Sequence, residues 1–380
     1  MLKNKGTIIY IGNFIFPDKN AAAQRVINIG KIFSRLNYTV VYISILFEQN
    51  KTSIEKKEYF GYTCYEYKVG TRRIEKIQSL YNFKKLKRII EENKNVKAVI
   101  AYNLRTFLLY KLYRYCKKNN IKSIGDITEW YGTSNLNFLK KIKEKLDIYL
   151  RMNVLNYRMS GNIVISDFLY NTYVGRVPIV NIPPLVDLAE DKWEECQYRE
   201  ISNTSITKII YAGSPSKQKE RLDLIVEAVT GLNKKFLVEL SVLGITQNDF
   251  CQIYDFDKTM LQDNIVFYGK VPHKDAIRKI AESNYSIIIR DKNRITNAGF
   301  PTKFVESISA GTPVITNDNS CVKKYMYEGK NGYIVSIDNL EKDLSTILDK
   351  KIQIDVCREQ FHYENYIEAM DNFIKRLNHM

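Results

Sequence analysis

Histidine is scarce in this chain of 380 residues: His273, His362 and His379 are the whole complement. The six cysteines, at 64, 116, 196, 251, 321 and 357, stand singly, with no Cys-x-x-Cys pair and no histidine nearby at ligand spacing. That pattern excludes a disulfide framework and the common zinc sites, so ordinary reduced thiols are expected. No apolar run approaches the roughly 20 residues of a membrane span. The N-terminal stretch MLKNKGTIIYIGNF enters a strand without a cleavable signal pattern, and a cytoplasmic location is expected. Tandem short repeats are missing too, and no recognisable nucleic-acid reader element is offered.

Charge is abundant but unevenly placed. Residues 1–190 hold 32 Lys+Arg against 15 Asp+Glu, and the remainder 26 against 27, so the whole formal charge of +16 belongs to the first half. A basic half suits an acidic partner, such as an anionic membrane, a phosphorylated acceptor or nucleic acid, or else makes a lysine-rich solvated surface. At this length two domains are expected.

Strands and helices alternate from the start. TIIYIG (7–12) reads as a strand, AAAQRVINIGKIFSRLN (21–37) as a helix and YTVVYIS (38–44) as a strand, followed by VKAVIAY (96–102), a helix near 104–119, KSIGDI (122–127), a basic helix near 137–159 and NIVIS (162–166). Around 187–206 polar and acidic residues displace the apolar pattern, which predicts a linker. A second alternating series follows, through TKIIYAGS, KFLVELSVLG, NIVFYGKV and YSIIIR, to a final helix in YENYIEAMDNFIKRL. The class is α/β, with parallel sheets flanked by helices.

The segment NAGFPTKFVESISAGTPVITND (297–318) predicts a helix from about 301 to 310, with Pro301 in its first turn and Gly311 as its stop. It lies between two short apolar strands. In open parallel sheets ligands sit beyond the carboxyl ends of the strands, where helix N-termini carry partial positive charge. The loop RDKNRITNAGF delivers such a helix to an anion site, while Glu306, more than one turn in, is placed to accept hydrogen bonds from ribose hydroxyls. A sugar nucleotide satisfies both features.

With YAGSPSK (211–217), IVFYGKVPHKDAIRKIAESNYSIIIR (265–290) and GFPTKFVESISAGTPVI (299–315) in view, the chain resembles the family-4 glycosyltransferases, which have the GT-B fold of two Rossmann-like, doubly wound domains facing a central cleft. DITEWYG (126–132) and NIPPLVD (181–187) look like a branch that builds bacterial capsule or other surface polysaccharides. The resemblance implies an acceptor domain over 1–190 and a donor domain over 200–358, with the last helix (360–380) rejoining the first domain. It also implies a UDP- or GDP-sugar donor, transfer with retention, no cofactor and no required metal. A glycan or lipid-diphosphate-linked acceptor and peripheral placement at the inner face of the cell membrane are expected with it.

By the same resemblance Glu306 matches the family glutamate that holds the donor ribose, while the partner glutamate expected eight positions earlier is Ala298. Ser214 stands where relatives place an arginine, and Lys217 is placed to neutralise the leaving diphosphate, with Lys219 and Arg221 within reach. Gly299, Phe300, Pro301, Thr302, Lys303, Arg290, Arg294 and Val271 complete the expected donor side. Glu129 and Asp126 fall where many relatives carry a histidine facing the reacting carbon; a carboxylate there would orient the acceptor hydroxyl or stabilise an oxocarbenium-like transition state, or be a buried acid paired with a base. Gly12, Asn13 and Arg25 are expected on the acceptor side, Arg25 alternatively as a surface helix charge.

The Asp-x-Asp at 255–257 matches a metal motif of a different glycosyltransferase fold, but it lies in a polar stretch between elements and reads as a solvated loop. His273 reads as a helix-start or exposed residue. Other function classes compatible with the pattern are a sugar-nucleotide epimerase or phosphorylase on the same architecture, and a partner-dependent subunit of a glycan-assembly complex.

Overall fold

The computed structural model describes residues 3–17, 20–48, 52–70, 72, 83–132, 137–196, 205–217, 219–232, 235–318, 321–350 and 355–378. It divides into two compact units, one of residues 1–185 with 363–380, the other of residues 186–362.

The first unit is built on β1 (Gly6–Gly12), β2 (Tyr38–Glu48), β3 (Ser53–Tyr59), β4 (Tyr62–Gly70), β5 (Val96–Tyr102), β6 (Lys122–Ile127), β7 (Gly161–Val164) and β8 (Ile179–Asn181), in the order β3-β4-β2-β1-β5-β6-β7-β8. All pairs are parallel except β3 with β4. Helices Ala21–Arg35 and Ile367–Asn378 cover one face of the sheet. Helices Lys84–Glu92 and Thr106–Lys118, with Leu155 and Met159, cover the other. Strands buried on both faces are rich in apolar residues, which is why the runs within VKAVIAY and KSIGDI are legible as strands.

The second unit carries β9 (Thr207–Ala212), β10 (Val238–Leu243), β11 (Ile265–Gly269), β12 (Tyr285–Ile288), β13 (Val314–Asn317) and β14 (Gly332–Val335) in an all-parallel sheet ordered β11-β10-β9-β12-β13-β14. Helices Leu222–Leu232, Gln247–Tyr254 and Leu340–Leu348 pack on one face.

Three expectations need correction. The stretch expected to be a linker is packed into the second unit at least as far as residue 196: Trp193 and Cys196 are each 1% exposed, and residues 197–204 lie outside the described residues. Asp191, Glu194 and Glu195 are exposed while these two enter the core. The polar stretch before the Asp-x-Asp is a helix, Gln247–Tyr254, whose Phe250 and Tyr254 are buried one turn apart; Asp257 accepts from Thr259 N at 2.9 Å. The basic helix expected to reach 159 is α-helical only over Phe138–Leu150 and continues as one π-helical turn, Arg151–Leu155. Among the described residues, no helix is long and apolar enough to cross a membrane.

Candidate active site

In each sheet the winding reverses once, between β1 and β5 and between β9 and β12. Such switch points open a crevice at the carboxyl ends of the strands.

At the first switch point, Gly12 ends β1 and faces Tyr102 at the end of β5. A Cβ at Gly12 would sit 2.6 Å from Tyr102 Cβ, so only glycine lets the strands close here. Asn13 is exposed just beyond. Asn103, in left-handed conformation at φ 47°, donates through Nδ2 to Thr128 Oγ1 at 2.6 Å and accepts from Thr128 N at 3.3 Å, locking the chain that leaves β6. Glu129 follows, half-buried.

Asp126 and Arg25 do not reach this crevice as open groups. Asp126 is 1% and Arg25 4% exposed. Arg25 Nη2 and Nε donate to Asp126 Oδ1 at 2.7 and 3.0 Å, and Tyr10 OH donates to Asp126 Oδ2. The remaining Arg25 nitrogen, Nη1, donates to Ile182 O at 3.0 Å and Pro183 O at 3.4 Å. Burial alone would lower the Arg25 pKa, but Asp126 outweighs it and holds the guanidinium above its ordinary value. Burial and then Asp126 push the Tyr10 phenol well up. The pair ties β6 to the NIPP segment. Asp126 thus takes the alternative of a buried acid paired with a base, and Arg25, 4% exposed, is corrected from a surface helix charge to its buried partner.

At the second switch point, Gly213 leaves β9 with φ 135°, a conformation that side chains rarely adopt, and a Cβ there would lie 2.2 Å from Lys303 Cε. Lys303 runs past this glycine instead of opening toward a ligand. Its Nζ reaches Glu220 Oε2 at 2.5 Å and Tyr211 OH at 3.1 Å, and Tyr211 OH donates to Glu220. Burial pulls the Lys303 pKa below its ordinary value, although Glu220 opposes it. Burial would raise Glu220, but Lys303, Tyr211 and Arg290 together hold it below the usual carboxylate range. Lys303, expected near phosphate, is held here in a buried ion pair with Glu220.

Arg290 is different. It is 4% exposed, its backbone is clamped by Asn317 (N to Oδ1 2.9 Å, O from Nδ2 2.8 Å), and its Nε and Nη1 are buried without a hydrogen-bond partner among the described residues. Leaving charged donors unpaired costs roughly 1–3 kcal/mol or more. Two helices begin nearby. Arg294–Ala298 is closed by a capping box between Asn293 and Thr296, whereas Thr302–Ser309 starts at Pro301 with no side-chain cap, leaving its first amides to other partners.

Around this point Ser214, Lys217 and Arg294 are exposed, and Val271, Gly299 and Thr302 are half-buried. Ser214 Oγ donates weakly to Gly244 O at 3.4 Å. Arg221 is committed to Asp223 at 2.8 Å. Phe300 is corrected from ligand contact to core residue: it is 8% exposed and packs edge-on to Phe304, Tyr325 and Phe361. Pro301 is buried as the residue before the helix rather than in its first turn. Ala298 is fully buried.

Glu306 is 17% exposed and lies 3.1 Å from His273 Nε2. Nothing in the sequence signals this pair, because the two residues are brought together from different helices. The Tyr211, Glu220 and Lys303 cluster has no local signal either; the strand pattern Ile-Ile-Tyr-x-Gly, present once in each half, marks only the tyrosine of each cluster. None of the six cysteines forms a disulfide, and burial pushes the Cys64 and Cys116 thiols up to about 12, which removes both as nucleophiles.

Residues 198–366 match the family model described as Glycosyl transferases group 1. No curated protein matches the sequence. Sucrose-phosphate synthase from Thermosynechococcus elongatus has a similar structure at 13% identity, covering 98% of this chain and 99% of that one with a TM-score of 0.70. An alpha,alpha-trehalose-phosphate synthase (UDP-forming) from Burkholderia xenovorans, in complex with glucose-6-phosphate, aligns at 10% identity over 99% and 100% with a TM-score of 0.67. Anabaena HepE in complex with UDP and glucose aligns at 10% identity over 97% and 99% with a TM-score of 0.65. The chain has the GT-B fold, and its residues 198–366 are similar to the glycosyl transferases of group 1.

Proposed function

We propose that the protein is a retaining glycosyltransferase that moves a sugar from a UDP- or GDP-sugar to a glycan or lipid-diphosphate-linked acceptor in bacterial surface-polysaccharide assembly. The observation that carries this reading is Arg290, whose two unpaired buried donors lie at the switch point where an uncapped helix begins. A diphosphate satisfies both. Lys217, exposed on the loop after β9, neutralises the leaving diphosphate, which takes the electron pair of the glycosidic bond as that bond breaks. Glu306 accepts from ribose hydroxyls. The second unit thus binds the donor and the first the acceptor, with Glu129 orienting the attacking hydroxyl or stabilising positive charge at the reacting carbon. Cationic side chains and amides here do what a metal would do, so no metal is required. The basic first half suits an acceptor held at the inner face of an anionic membrane, and the complexes of Anabaena HepE with UDP and with UDP-glucose are consistent with a UDP-sugar donor.

Thermal melting with a panel of nucleotide sugars tests this, because a ligand that binds only the folded state raises its midpoint. One UDP- or GDP-sugar should do so with EDTA present. Lys217→Ala should lower turnover more than donor affinity, since charge on the diphosphate develops in the transition state. Activity lost in EDTA and restored by manganese would overturn the assignment. A second reading, a subunit that transfers only when a partner is added, is favoured by Ala298, whose full burial leaves no carboxylate at the position of the family's first glutamate.

A further inference from the structure

Helix Phe138–Leu150 sits on the first unit with its faces reversed. A surface helix normally turns its apolar stripe to the core and its charges to water. At about 100° per residue, Phe138, Tyr149, Ile142, Leu146 and Leu139 fall within one stripe roughly 100° wide. All five are exposed, from 51% for Ile142 to 79% for Leu139, whereas the buried side chain of this helix is Ile148, on the far side. That far side is tied to the domain by polar contacts: Arg105 Nη1 to Glu144 Oε1 at 2.7 Å, Thr106 N to Asp147 Oδ1 at 3.1 Å and Thr106 Oγ1 to Asp147 O at 2.7 Å. The helix is held by its acids and presents its apolar stripe outward.

The surroundings are basic. Lys143 and Lys145 border the stripe on either side. Helices Lys84–Glu92, Thr106–Lys118 and Phe138–Leu150 together carry twelve Lys and Arg against four Asp and Glu. The first two pack on the same sheet face as Leu155 and Met159, which continue the third. Phe107 and Tyr110 add exposed apolar surface, with Lys111 Nζ 4.4 Å from the Phe107 ring centroid. A groove of about 390 Å³ runs between the second and third helices, walled by Phe107, Tyr110, Leu146 and Leu150, with Lys143 and Arg158 at its lining.

We propose that this face docks on an anionic lipid bilayer, with the Phe138–Leu146 stripe at the headgroup boundary and the flanking lysines against lipid phosphates. An apolar stripe bordered by like charges matches a surface that is apolar below and anionic above, which a bilayer offers along its whole extent. The proposal deepens the membrane reading given above by naming the surface that makes contact, and it rests on that reading for its biological purpose.

The test is co-sedimentation of the full chain with vesicles of phosphatidylcholine alone or mixed with phosphatidylglycerol, at low and high salt. The chain should pellet with the mixed vesicles, progressively less as salt rises, and not with phosphatidylcholine. Ile142→Glu with Leu146→Glu should weaken binding at least about ten-fold, and Lys143→Gln or Lys145→Gln roughly five-fold each. Leu237→Glu, at an exposed position of the second unit, should change nothing. Melting with and without UDP is followed on every variant: an unchanged UDP response shows the donor site intact, and a chain that pellets yet binds no nucleotide sugar counts against the enzyme reading alone. Equal pelleting with neutral vesicles, or wild-type pelleting by the double variant, would overturn the docking proposal. So would a sedimentation-equilibrium mass that falls to that of one chain on Ile142→Glu without any vesicle binding, which assigns the face to a second copy.

Discussion

Ile8-Ile9-Tyr10-Ile11-Gly12 in the first unit and Ile209-Ile210-Tyr211-Ala212-Gly213 in the second are the same strand pattern, and each delivers its tyrosine hydroxyl to a buried carboxylate neutralised by a buried cation. The sets are Tyr10, Asp126 and Arg25, and Tyr211, Glu220 and Lys303. In the first, every nitrogen of the cation has a partner, because the Arg25 donors that Asp126 does not take go to two backbone carbonyls. In the second, a further cation lies beside the cluster: Arg290 lowers Glu220 through its charge yet keeps two buried donors unpaired among the described residues. One device is thus closed and holds the fold, while the other is left incomplete and has capacity for a ligand. Buried charge alone does not mark a site; unspent hydrogen-bonding capacity does.

The sharpest way to break this comparison is Asp126→Ala. Leaving Arg25 buried and unpaired should cost about 3–5 kcal/mol, read as a lower urea midpoint. If Asp126→Asn instead folds with near wild-type stability and loses all turnover, Asp126 is catalytic and the distinction fails.

Next comes the acid response of the second cluster. Glu220 titrates below the roughly 4.3 of an unfolded glutamate. Its contribution is therefore complete above that pH and is lost as pH falls through the lower folded-state value. Melting followed from about pH 5 to about pH 3 should fall more steeply for the wild type than for Glu220→Gln, and parallel curves would show that Lys303 does not depend on the carboxylate charge.

Smaller effects are expected where the site meets ligand. Glu306→Gln exchanges a charge-assisted hydrogen bond for a neutral one and should raise the nucleotide-sugar Kd about five- to ten-fold, as measured by titration calorimetry. His273→Ala, which removes the neighbour of Glu306 but no proposed ligand contact, should change that Kd by about two- to three-fold at most. An effect of His273→Ala larger than that of Glu306→Gln would place the histidine on the ligand.

Much of the architecture was legible because parallel strands buried on both faces cannot hide their apolar runs. The hairpin of β3 and β4 was not, since SIEKKEY is an edge strand whose charges face water and whose turn, Phe60-Gly61, takes left-handed conformations without the usual Asn-Gly signal. The linker was misjudged because two buried residues, Trp193 and Cys196, decide a segment that is otherwise charged. In the site, the spacing from Pro301 to Glu306 is local and readable. The destination of Lys303 is not, since Glu220 lies 83 residues away and only the fold of the second sheet brings them together. Asp126 misled for the same reason: a carboxylate at a strand end looks catalytic until its arginine, 101 residues distant, is seen beside it.

Calorimetric titration of UDP and of GDP into Arg290→Met, set beside the melting curve of the same variant without ligand, tests the central claim most directly. Because the guanidinium leaves two buried donors unsatisfied, replacing it by an apolar side chain of similar length should leave the ligand-free midpoint unchanged or raised, while the affinity for whichever nucleotide the wild type binds falls at least about ten-fold. A variant that binds nucleotide as the wild type does, or that melts as early as Asp126→Ala, would contradict the account by making Arg290 another closed element of the fold.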